Sequence, residues 1–128
     1  MAIPLNTFKT TTAVVPEEPP GGFTGDSDVI YVVPQGITAI VLMAQIANLD
    51  SAEHTVTFTH YDRDEVLNTE LVKDLPVLPK DAVGVITGKL IVEETNRVRC
   101  SGSTGSSGKL KLVLSYLESL NGKTNRTR

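Results

Sequence analysis

Residues 54–61, HTVTFTHY, alternate without a break. Val56 and Phe58 point to one side; Thr55, Thr57, Thr59 and Tyr61 point to the other. Only a strand places every second side chain on one face. An apolar face opposite a threonine face describes a half-buried antiparallel strand. The stretch KLKLVLSYL, residues 109–117, repeats the pattern, with Leu110, Leu112, Leu114 and Tyr116 inward. No segment has a convincing helical period. A chain built this way must bury sheet against sheet.

The remaining segments fit that constraint. VIYVV, residues 29–33, is β-branched and aromatic and ends at Pro34-Gln35-Gly36. In residues 37–49, Ile40, Leu42, Ala44 and Ile46 share one side, and Val41, Met43 and Ala47 the other. Both sides are apolar, which predicts a central strand buried on both faces or a bent strand serving two sheets. Residues 68–79 contain Pro76 and Pro79, signs of an edge or corner. Residues 82–86 and 89–93 are two short strands around Thr87-Gly88. Val98 and Cys100 face inward between the outward Arg97 and Arg99. The expected fold is all-β: an antiparallel β-sandwich, jelly-roll or Ig-like, of about eight strands with an extended N-terminal arm. Residues 1–28 form the arm and a Pro/Gly-rich hinge, with residues 8–15 read as either an extended arm or an edge strand, 29–120 the sandwich, and 121–128 a flexible basic tail.

Bulk properties narrow the function. A chain of 128 residues is expected to make one domain. A net charge of −3 gives no sign of broad nucleic-acid binding, and no specific nucleic acid is expected as a partner. No apolar run approaches the roughly 18 residues of a membrane span. The start, MAIPLNTFKTTT, lacks the form of a signal peptide. The single cysteine, Cys100, leaves no internal disulfide or multi-cysteine zinc site and reads as a small buried apolar residue. Tryptophan is absent, which weakens a sugar-binding reading.

Four features invite a chemical reading. GSTGSSGK, residues 102–109, resembles a phosphate-binding loop. Five residues rather than four separate Gly102 from Gly108, Leu110 stands where the motif needs a hydroxyl, and a strand comes next instead of a helix. The run therefore reads as the flexible tip of the last hairpin. His54 and His60 share a strand face roughly 20 Å apart, too far for one metal, and are expected to cap a buried face. Asp26-Ser27-Asp28 and Asp62-Arg63-Asp64-Glu65 offer oxygens but lack the calcium-loop pattern, so they read as solvated turns. Arg97 and Arg99, with Lys109 and Lys111 on a neighbouring strand, read first as a plain solvated face and second as a basic stripe for an acidic partner. Phe8 and Val14 are the contact candidates on the arm. No catalytic, cofactor-binding or metal-ligating residue is assigned, and no cofactor is expected.

One resemblance adds to this. VPQGITAIVLMAQIANLD, TVTFTHYD, LVKDLPVLPKDAVGV, GKLIVEETNRVRCSGS and LKLVLSYLE resemble segments of small β-sandwich virion proteins of tailed bacteriophages, from capsid decoration, neck or tail. The likeness lies in core and turns, from Tyr31 to Glu118. Relatives often carry Gly-Asp in the turn where Glu94-Thr95-Asn96 stands here. The resemblance implies a non-catalytic structural subunit, assembled in the host cytoplasm into a virion. Its partners would be copies of itself in a homo-oligomer and neighbouring virion proteins, with no membrane contact. The arm would reach another subunit by strand addition. The alternatives are a stand-alone module for a host glycan or protein, using Phe23, Tyr31 and Tyr61, and a small hydrolase resting on the two histidines.

Overall fold

The structure is a computed structural model and describes residues 6–22 and 25–121. Among the described residues, nine strands run in order: β1 (Asn6–Val14), β2 (Val29–Val32), β3 (Ile37–Asn48), β4 (His54–Asp62), β5 (Leu67–Val77), β6 (Ala82–Gly84), β7 (Leu90–Val92), β8 (Arg97–Gly102) and β9 (Leu110–Leu120). Two antiparallel sheets pack face to face. One runs β1-β9-β3-β6, with β7 also on β3; the other runs β2-β8-β4-β5. The pairings nest: β1 with β9, β2 with β8, β3 with β6 and β7, and β4 with β5.

The alternation read from the sequence sets the core. Leu110, Leu112 and Leu114 are fully buried, and Phe58, Val56, Val98 and Cys100 face them from the other sheet. Burial pushes the Cys100 thiol up to about 12, so it stays protonated at neutral pH. His54 and His60 differ: His54 is buried, with Nε2 2.8 Å from Asp50 Oδ2, while His60 is half-buried.

One open choice is decided and two expectations change. First, residues 6–14, which the sequence leaves open between an extended arm and an edge strand, form an edge strand. They pair with β9 from Asn6↔Ser119 to Val14↔Lys111 without a register break, and Val15 is fully buried. Threonine-rich sequence suits an edge strand as well as an arm, and only the β9 pairing decides between them. Second, β3 is buried on one face only. A β-bulge lies between Val41 and Met43, so Ala39 and Val41 and then Ala44 and Ile46 point inward. Leu42 and Met43 are both exposed. The extra residue shifts the phase by one, which a strict alternation misses.

Third, the glycine–serine run is not a hairpin tip. β8 and β9 belong to opposite sheets, and the run crosses between them. Ser103 N–H bonds Thr55 O, and Lys109 N–H bonds Ser106 O. Gly105 and Gly108 take positive φ. Gly102 sits at the crossing, where an added Cβ would overlap Ser106 Oγ and lie 2.9 Å from Leu110 Cδ1. Gly102→Ala should therefore destabilise the protein by about 1–3 kcal/mol. A urea midpoint equal to that of the parent would show that the crossing relaxes freely.

Candidate interaction surface

The outer face of the β9 sheet carries the main exposed apolar surface. Register places Phe8 opposite Leu117, Leu117 opposite Ile40, and Ile40 opposite Ile91. The four form a row across β1, β9, β3 and β7. Phe8 is 75% and Ile91 60% exposed. Leu42, Met43 and Val113 extend the patch along the strands, and Val14 lies directly opposite Lys111 at its far end. The sequence alone marks Phe8, Val14 and Lys111 but not Leu117, Ile40 or Ile91. Their alignment depends on cross-strand register, which no single strand carries.

The basic stripe does not form. Arg97 and Arg99 stand on the outer face of the β8 sheet, while Lys111 stands on the outer face of the other. Lys109 precedes β9, and its carbonyl accepts from Leu49 N–H. The arginines instead hold the hinge. Arg99 Nη1 lies 2.6 Å from Asp28 Oδ1 and donates to Gly25 O. Asp26 bridges both guanidinium groups, at 2.8 Å to Arg97 and 3.2 Å to Arg99. Both also lie over the Tyr61 ring. The acidic turn read as solvated and the arginines read as solvated or partner-facing thus pair with each other. Glu18 N–H donates to Gly102 O and pins the hinge at its other end. Beneath it, Thr57 and Thr59 are buried on the outer face, beside an open groove of about 300 Å³ that Glu18, Glu70 and Ser101 also line.

The remaining sequence candidates are structural. Asp62 Oδ1 accepts from Asp64 and Glu65 N–H, closing the β4–β5 turn. Asn96 Oδ1 accepts from Arg63 N–H, so the Glu94-Thr95-Asn96 turn braces that hairpin. Of the aromatic residues considered for a glycan, Tyr31 is buried, Tyr61 lies beneath the two guanidinium groups, and Phe23 falls outside the described residues. The tail at 122–128 falls outside them as well.

A polar cluster joins the sheets on the β1–β2 side. Tyr31 OH donates to Glu118 Oε2, Lys9 Nζ lies 2.8 Å from Glu118 Oε1, and the Tyr31 and Tyr116 rings are 4.3 Å apart. Burial pushes the Glu118 carboxyl up, but the bonds from Lys9 and Tyr31 together hold it below its ordinary value. Burial, and then the bond to Glu118, push the Tyr31 hydroxyl far above its own. The hydrogen bond to Glu118 raises Lys9.

Two outcomes are expected. Arg99→Gln should leave the core folded, cost about 1–2 kcal/mol, and speed proteolytic cleavage in residues 16–28; unchanged cleavage would mean the guanidinium does not hold the hinge. For Glu118, the unfolded state takes up its proton at higher pH than the folded state. Its contribution is therefore complete above an unfolded value of about 4.3 and fades as pH falls through the lower folded value. Denaturant titrations across that window should give Glu118→Gln a flatter acid limb than the parent. Asp50, lowered first by its bond to His54, adds a contribution of the same sign in both proteins.

No protein-family model matches the chain, and no curated protein sequence matches it.

Proposed function

We propose that this chain is a non-catalytic structural subunit of a tailed-phage virion, at the neck or tail or on the capsid surface. It acts through protein–protein contacts in a symmetric assembly built in the host cytoplasm. The observation that carries the reading is the apolar row Phe8–Leu117–Ile40–Ile91. A row of large apolar side chains with exposed ends is the kind of surface that a partner covers. The attribution to a virion rests on the resemblance of the segments between Tyr31 and Glu118, and the nested strand pairing supports the jelly-roll form of the sandwich. Fold likeness alone assigns no function, so the assembly role rests on the surface.

The non-catalytic part of the reading draws on how candidate side chains are used. His54 is buried against Asp50, and Cys100 is buried and held protonated. Cys100 lies in the hydrophobic core, and His54 is held at the start of β4 by its pairing with Asp50.

Two measurements test the reading. The protein should comigrate with purified particles through a density gradient; its absence from them would overturn the assignment. Phe8→Ser with Ile91→Ser should lower incorporation at least about tenfold, since buried interface anchors dominate binding. Both side chains are exposed, so the double variant should keep its circular dichroism spectrum. Wild-type incorporation would remove the apolar row from the interface. Specific retention of the isolated protein on a glycan array, without particle association, would favour the binding-module alternative.

A further inference from the structure

Each sheet ends in strands with open edges, and most of these edges are guarded. β5 carries Pro76, the charges of Glu70, Lys73 and Asp74, and a left-handed turn at Asp74. β2 spans only Val29–Val32 and is broken by a bulge. β6 and β7 are three residues each. β1 differs. It runs nine residues, NTFKTTTAV, with no proline, glycine or bulge, and is rich in strand-forming types. Its one charge, Lys9, is drawn to Glu118 on the inner face. Among the described residues, nothing pairs with its second edge.

The hydrogen-bonding phase of that edge is set by one contact. Val15 N–H donates to Leu110 O. Because β1 pairs with β9 without a register break, the odd residues Lys9, Thr11 and Ala13 also direct their backbone groups toward β9. The even residues Phe8, Thr10, Thr12 and Val14 therefore direct theirs outward. Their side chains share the outer face with Leu117, Ser115, Val113 and Lys111.

We infer that β1 is a homodimer interface, pairing antiparallel with β1 of a second copy about a two-fold axis through Thr11. In this register Phe8 faces Val14 and Thr10 faces Thr12, and each pair exchanges both N–H···O bonds. The exposed apolar residues at the two ends of β1 cover each other. Lys9 faces Ala13 of the second copy, so no like charges meet, whereas an axis through Lys9 would oppose two ammonium groups. Pro16, which lacks an N–H, ends the ladder. The two sheets become one continuous sheet with their apolar rows on the same side. The inference deepens the assembly reading and rests on it for biological role, while its geometry rests on β1 alone.

The test uses the full chain. Sedimentation equilibrium should give twice the chain mass of 13.8 kDa. Thr12→Pro removes one outward N–H and leaves the β9 ladder intact, so it should yield a monomer with an unchanged circular dichroism spectrum. Should that variant fail to fold, cysteine crosslinking decides. Thr11→Cys should form a disulfide-linked dimer on oxidation. Lys9→Cys and Ala13→Cys should each fail alone and crosslink when mixed. A monomeric parent, a dimer that survives Thr12→Pro, or crosslinking of Lys9→Cys alone would overturn the proposal. Particle association is measured separately: a dimer absent from particles defeats the virion reading and leaves this interface standing, and a monomer present in particles does the reverse.

Discussion

The structure depends on β9. It is paired on both edges, with β1 and β3, and its whole inner face is buried from Leu110 through Glu118. Because side chains alternate strictly, a slip of one residue would drive Lys111 into the core and expose three leucines. That cost locks the register, and the register then positions the rest. It places Phe8, Ile40 and Ile91 in line with Leu117, aligns Tyr116 and Glu118 with Tyr31, and directs the backbone groups of β1.

The two outer faces are treated differently. The hinge covers one, drawn down by the pairing of Arg97 and Arg99 with Asp26 and Asp28 and by the Glu18–Gly102 backbone bond. Charges in these positions pair with each other within the molecule. The other face has no such cover among the described residues, and its row of large apolar side chains is the basis of the proposed assembly role. Which face is left uncovered among the described residues is thus set by where the hinge docks.

Much of the strand content was legible in the sequence. β4, β8 and β9 show their buried faces through alternation alone, since an apolar face must meet another sheet. The exceptions each have a local cause. The bulge at Leu42 adds one residue and inverts the phase of the rest of β3. The hinge reads as solvated in the sequence because its acidic residues and their arginine partners are about seventy positions apart. The candidate surface was legible only at Phe8, Val14 and Lys111; Ile91 resembles any residue of a short strand until β7 is placed beside β3.

The sequence by itself determined the class of fold, the inward residues of the regular strands, and the strand nature of the residues after GSTGSSGK. These properties arise from backbone stereochemistry and burial, which act over a few residues at a time. Only the tertiary structure decided that this run crosses between sheets, that β1 closes against β9, and that the arginines and lysines part company. Those outcomes depend on which strands meet across the whole chain. Pairings between residues 6–14 and 111–119 are long-range contacts, selected by collective packing of the core.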